Sequence, residues 1–257
     1  MNCDGWSWIG ACSVGTSHIK SGTECQDRAA CVEYKGQGNR TLVAVVSDGA
    51  GSAKFSSIGS SLVVRSFAGS VVAYLRSGGS VEGITADAVR IWLDEIRDKI
   101  AAAARNRDSE PREFAATLVA AIISESGAIV CHIGDGACVI RRHAQAEWEV
   151  PSWPAHGEYA SSTYFVTDDP QPNLQFSTIA EPISEIAIFS DGLERLALDF
   201  TNIRPSEKFF NPIFAPLSTE TTGRNRTLSK SLRAFLDGPQ ITSRTDDDKS
   251  LLLARRA

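Results

Sequence analysis

The stretch VVSDGAGS, residues 45–52, decides how the chain is read, because an apolar run stops abruptly in Asp48-Gly49. Asp-Gly also makes hairpin turns, so one copy says little. The chain repeats it, however. IAIFSDG (186–192) and IVCHIGDGACVI (129–140) again bring an apolar run to Asp-Gly, at Asp191 and Asp135. Two further pairs act as internal controls, Asp4-Gly5 and Asp237-Gly238, and neither follows a strand-like run. Three of five Asp-Gly pairs therefore place a carboxylate at the end of a buried strand. That pattern fits a shared site better than it fits turn chemistry.

The surrounding sequence sets the context. With 257 residues, the chain is long enough for a large core. Hydrophobic residues at 42% and charged residues at 22% describe an ordinary globular protein. A net charge of −5 gives no electrostatic reason to expect nucleic acid. No apolar run approaches the roughly 20 residues that span a bilayer, and MNCDGWSWIG does not resemble a secretory leader. The six cysteines form no CxxC pair. They read as reduced thiols of a cytoplasmic protein, with neither disulfides nor zinc.

Outward from residue 45, strands are expected at 6–14, 28–34 and 42–46, the last two joined by KGQGN. Ile58, Leu62, Val63, Phe67, Val71 and Leu75 then fall at helical spacing. A second helix has Thr85 as N-cap, Asp87 in its first turn, and Val89, Trp92, Leu93, Ile96 and Ile100 on its apolar face. Residues 114–123, 128–133 and 137–142 read as three consecutive antiparallel strands, with Gly134-Asp135-Gly136 as the second turn. A proline-rich connection follows, with a strand at 164–167. Then come a strand at 183–189, a helix from 193, a loop-rich stretch at 200–223, a short helix at 228–236 and a strand at 250–254. Without repeats or a linker, the expectation is one domain over 1–257. Its class is α+β, with an antiparallel core and segregated helices.

Five separate segments bring an aspartate to a strand boundary: Asp27, Asp48, Asp135, Asp191 and the run Asp246-Asp247-Asp248. Clustered carboxylates repel one another, so a shared site needs cations. Oxygen ligands without His or Cys favour magnesium or manganese. Two such ions suit in-line displacement at phosphorus. The glycine after each aspartate lets backbone approach an ion.

In order, QD (26–27), SDGAGS (47–52), IGDGA (133–137), FSDGL (189–193) and DDKS (247–250) resemble the type 2C metal-dependent protein phosphatases, the PPM family. The likeness is to the bacterial branch with DGAGS, and it spans residues 8–254. It implies an α/β/β/α sandwich of two antiparallel sheets flanked by helices. It also implies hydrolysis of phosphoserine and phosphothreonine by a metal-bridged water. Asp48 would bridge two Mn2+ or Mg2+ ions, with the Gly49 carbonyl as a further ligand. Asp191 and Asp247 would hold the first ion, Asp27 the second largely through water, and Asp135 a weaker third. Asp48 and Asp191 are thus the expected catalytic core. Thr117 would lie on the small-residue strand below the site.

Three positions depart from the family pattern. Gln26 stands where many members have Glu, Ala50 where many eukaryotic members have a proposed general-acid His, and Gly22 where an Arg grips phosphate. Lys20 and His18 are the nearest candidates for phosphate binding, and a point charge holds phosphate less specifically than an Arg fork. Ser52 and Lys54 could also face phosphate, or could cap the following helix and stay solvated. His132, in an apolar strand, reads as a core residue. The expected partners are a phosphorylated protein and an opposing serine/threonine kinase, with no nucleic acid and no membrane. The competing reading is a catalytically weak phosphatase-like module that binds a kinase or phosphoprotein. A third is a phosphatase for small metabolites.

Overall fold

The computed structural model describes residues 5–36, 39–155, 163–219 and 222–257. In chain order the elements are β1 (Trp6–Ser13), α1 (Thr16–Ser21), β2 (Arg28–Gly36), β3 (Asn39–Ser47), α2 (Ser56–Arg76), α3 (Ala86–Arg105), β4 (Leu118–Ile123), β5 (Ala128–Ile133), β6 (Ala137–Arg142) and β7 (Trp148–Ser152). There follow β8 (Gln175–Ile179), β9 (Ile183–Phe189), α4 (Glu194–Ala197), β10 (Leu198–Asp199), β11 (Arg204–Pro205), α5 (Glu207–Phe214), β12 (Gly223–Arg224), α6 (Arg226–Leu236), α7 (Pro239–Thr242) and β13 (Lys249–Arg256). One sheet has the order β12-β1-β13-β9-β6-β7 and the other β2-β3-β4-β5-β8. Neighbours are antiparallel except β12, which pairs parallel to β1.

Strand periodicity builds the layers. Along β3, Leu42, Ala44 and Val46 enter the core between the sheets, where Ile140, Ile188 and Leu252 meet them. The alternate residues Val43 and Val45 face Val63, Phe67, Ile96 and Ile100 of α2 and α3. On the far side, Phe189, Leu251 and Leu253 pack against Phe210, Phe214, Leu232 and Leu236. The architecture is α/β/β/α, as expected. Strands covered on both faces read as continuous apolar runs, and each large side chain so buried contributes about 1.5–3 kcal/mol. α2 is apolar and long enough to cross a bilayer by length and composition alone. Its Val63, Val64, Phe67, Val71 and Leu75 are instead buried in the protein. Thr85 caps α3 by accepting the Ala88 N–H at 3.2 Å.

The sequence expectations need correction at four places. β5 and β6 do not form a hairpin, since β6 pairs with β9 and β7 in the other sheet. Residues 134–136 are a crossover, made possible by Gly134 at φ +113 and by Gly136, whose added Cβ would lie 2.6 Å from the Phe189 carbonyl. Periodicity identifies a strand but not the sheet it joins. β4 begins at Leu118, and Pro111–Phe114 is a 3-10 turn. Residues 164–167 form no strand: the Asp168 carboxylate accepts the Phe165 N–H at 2.8 Å and holds a turn. The strand of this region is β8. Finally, α2 begins at Ser56 after Phe55, with no side-chain cap, so Ser52 does not cap it. The KGQGN turn includes residues 37–38, outside the described residues, as do Cys3, Asp4 and His156.

Candidate metal centre

The strand ends bring the aspartates together. Asp48 follows β3, Asp191 follows β9, and Asp135 lies in the crossover between β5 and β6. One carboxylate oxygen from each of these three lies within 4.8 Å of the others. Three anions at that spacing repel strongly unless a cation or protons intervene. Asp27, just before β2, is fully buried, and its carboxylate is within hydrogen-bonding reach of Asp48. Asp247, just before β13, lies at the exposed rim, and its charge acts on both Asp48 and Asp191.

The backbone around the cluster is fixed by reciprocal bonds. Thr117 donates its N–H to the Asp48 carbonyl at 2.8 Å and accepts the Asp48 N–H on Oγ1 at 3.0 Å. Gly49 sits so close to Ser56 that an added Cβ would lie 2.8 Å from its backbone. Gly192 is tighter still, its added Cβ only 2.0 Å from the Asp248 carbonyl. These two glycines let the loops after β3 and β9 close down, which a side chain would prevent.

Burial and crowding leave a chemical mark. Burial pushes Asp191 up to about 8, reinforced by the charges of Asp135, Asp247 and Asp27. Burial pushes Asp27 up to about 6, opposed by hydrogen bonds from Asp48 and Ser190. Asp48 is raised well above the usual carboxylate range, by burial first and then by its acidic neighbours. Asp247 is raised as well, by local desolvation first. A cation would remove the shared cause. Asp27 Oδ1 is also buried without a hydrogen-bond donor. An all-carboxylate donor set with an unsatisfied buried oxygen fits a hard divalent cation.

A family model described as protein phosphatase 2C matches residues 14–237. The chain belongs to the protein phosphatase 2C family. It is 34% identical over 256 residues to serine/threonine-protein phosphatase 3 of Escherichia coli K12, covering 97% of this chain and 98% of that protein. In fold it is similar to the Staphylococcus aureus serine/threonine phosphatase Stp1, at TM-score 0.62 and 16% identity, covering 96% of this chain and 94% of that one. It is similar also to the S. agalactiae serine/threonine phosphatase, at TM-score 0.64 and 15% identity, covering 98% and 100%. The family is metal dependent, in keeping with the donor set.

Within this phosphatase 2C fold the remaining expected residues lie at different places. His18, on α1, has Nδ1 3.0 Å from Asp248 Oδ1. Lys20 is exposed and has no ion pair among the described residues. Gln26 is buried, and its Oε1 has no donor. Gly22 is the left-handed C-cap of α1, and Ala50 is buried. Lys54 lies over the Phe55 ring, 5.1 Å from its centroid. His132 is a core histidine: it is buried beside Ser152 Oγ at 2.7 Å, and burial lowers it to about 4.

Sequence reasoning missed three residues that hold the site, Ser190, Ser250 and Lys249, and named Asp248 only as a member of the 246–248 run. Ser190 donates to Asp27 Oδ2 at 2.7 Å and accepts the Ser250 N–H at 2.9 Å. Asp248 accepts the N–H groups of Gly15 and Gln26, both at 2.6 Å, and so ties the 15–27 loop to β13. Lys249 is fully buried and donates to the carbonyls of Val14 and Asp247. The signal was available in part, since Ser190 adjoins Asp191 and Ser250 lies in the same DDKS motif as Asp247.

Proposed function

We propose that this phosphatase 2C protein is a phosphoserine/phosphothreonine phosphatase that uses two Mn2+ or Mg2+ ions, with a weaker third. The whole chain acts as one catalytic domain. The observation that carries the reading is the convergence of Asp48, Asp135 and Asp191 within 4.8 Å. Asp48 would serve both ions with the Gly49 carbonyl as a further ligand, Asp191 and Asp247 would hold the first, Asp27 the second and Asp135 the third. When bound, the ions supply Lewis acidity toward the phosphoryl group and lower the pKa of a nucleophilic water.

The chain's own residues hold and orient. Ser190 and Ser250 fix Asp27, and Thr117 fixes the backbone of Asp48. Asp248 Oδ1 lies 3.0 Å from Nδ1 of His18, and the other ring nitrogen would be left for the phosphate. Exposed Lys20 supplies a point charge toward an incoming anionic substrate. Ala50 carries no proton, so a general acid at that position is absent here. Five free thiols among the described residues suit a reducing compartment, which supports a cytoplasmic phosphatase opposing a serine/threonine kinase.

The test is turnover of a phosphothreonine peptide with Mn2+, Mg2+ or EDTA, beside Asp48→Ala. Metal-dependent turnover abolished by EDTA and by the substitution is expected. Full activity in Asp48→Ala would overturn the reading. Absent turnover in the metal-loaded wild type would favour the binding-module alternative.

A further inference from the structure

A basic cleft lies outside the carboxylate cluster. β12 pairs with β1 only at Ser7 and Trp8, so on that side β1 has no strand partner beyond Trp8, and α6 packs alongside. The Trp8 carbonyl accepts the Asn225 N–H there, and Gly10 N–H meets Ser229 Oγ at 3.4 Å. Two adjoining cavities of about 310 and 420 Å³ flank this edge, both lined by Gly10, Ala11, Cys12 and Arg224. The outer one is walled by Arg226, Lys230 and Arg233 of α6, which recur at helical spacing on one face. All four cations are exposed. Among the described residues only Arg233 has an acidic partner, Asp237 at 3.9 Å. The concentration of unpaired positive charge is unusual in a chain of net charge −5.

The cleft is continuous with the carboxylate site. Cys12 lies within hydrogen-bonding reach of Ser250 and feels the charges of both Asp27 and Arg233. From Cys12 the chain leaves the end of β1 at Ser13 and continues to Gly15, whose N–H binds Asp248. That is about 10 Å of extended chain.

We propose that this edge docks an extended acidic segment of the phosphoprotein substrate. Backbone of the segment pairs with β1 at Cys12 and the Gly10 carbonyl, and its carboxylates meet Arg224, Arg226, Lys230 and Arg233. An open sheet edge supplies main-chain bonds without sequence demand, and the flanking cations select acidic side chains. The inference rests on the phosphatase reading for the identity of the substrate, but the docking itself is measurable without turnover. A folded nucleic acid is the less suited polyanion, since the cation stripe covers only two turns of one short helix and the rest of the protein is acidic.

The experiment uses the full-length, Mn2+-loaded protein and Arg226→Glu/Lys230→Glu, both residues being exposed and neither a proposed metal ligand. Binding of a fluorescent, unphosphorylated acidic peptide is measured by anisotropy. Kinetics are measured on p-nitrophenyl phosphate and on phosphothreonine peptides with acidic or neutral flanks. The expected result is a Kd about tenfold higher in the double variant. KM for the acidic-flanked peptide should rise to that of the neutral one, with kcat and the p-nitrophenyl phosphate rate unchanged. Equal KM for the acidic-flanked and neutral peptides, or no effect of the double variant on Kd, would overturn docking while leaving the phosphatase intact. A single-stranded oligonucleotide that binds more tightly than the acidic peptide would overturn it in favour of nucleic acid. A wild type inactive on p-nitrophenyl phosphate would instead overturn the phosphatase reading, with the anisotropy still deciding the docking.

Discussion

Removing divalent metal should make the protein less stable as pH rises, the reverse of the usual behaviour of carboxylates in a folded protein. Asp27 shows why. Its pKa is about 6 in the folded chain against a reference value of 3.8, because burial penalises its charge. Between those values the folded state holds a proton that the unfolded state has lost. The associated stability is fully present below about pH 4 and is lost as pH climbs through 6. A gap of about 2 pH units corresponds to ~3 kcal/mol. For a chain of this size, that is about 6–12 °C in melting temperature. Asp191, raised to about 8 by burial and by its acidic neighbours, extends the loss toward pH 8, and Asp48 is raised in the same direction, without the effects adding in full. Bound Mn2+ removes the repulsion and keeps the carboxylates ionised, so the slope should vanish or reverse. Scanning calorimetry from pH 5 to 8, in EDTA and in excess Mn2+, measures both slopes. A melting temperature in EDTA that is flat or rises with pH would refute the reasoning.

Other consequences follow from the packing around the cluster. Ser190→Ala leaves Asp27 Oδ2 and the Ser250 N–H without their partner, and should cost about 1–3 kcal/mol in urea unfolding. Thr117→Val removes the acceptor of the Asp48 N–H; a loss of about 1–2 kcal/mol is expected, together with weaker Mn2+ binding by calorimetry. Gly192→Ala must push the loop after β9 away from the Asp248 carbonyl, so activity should fall at least tenfold while circular dichroism at 20 °C shows a folded protein. Asp248→Ala strips the buried N–H groups of Gly15 and Gln26 of their acceptor. Denaturant unfolding should report a loss of about 3–5 kcal/mol.

Much of the fold was legible because both sheets are covered on both faces. β3, β4, β9 and β13 are nearly continuous apolar runs, and the stripes of α2 and α3 are long enough to declare their period. The five aspartates were legible as a set because each interrupts or adjoins such a run. What escaped was long-range or irregular. The crossover at Gly134-Asp135-Gly136 looks like a hairpin turn in sequence, because sheet membership depends on pairing with β9, some fifty residues on. β8 lies beyond a polar connection that offers no apolar run, and four of its five residues are only partly buried or exposed. α1 is a single short helix without a buried residue, so no stripe announced it. It nevertheless brings His18 to Asp248. Ser190, Ser250 and Lys249 act through bonds to residues far away in the chain, which local pattern cannot anticipate.

The most direct measurement is anomalous diffraction at the manganese edge from crystals grown with Mn2+. The account predicts two strong anomalous peaks beside Asp48, one near Asp191 and Asp247 and one near Asp27, with a weaker peak near Asp135, and their loss in Asp48→Asn crystals. Absence of peaks beside Asp48 in the metal-loaded wild type, or equal peaks in Asp48→Asn, would contradict it.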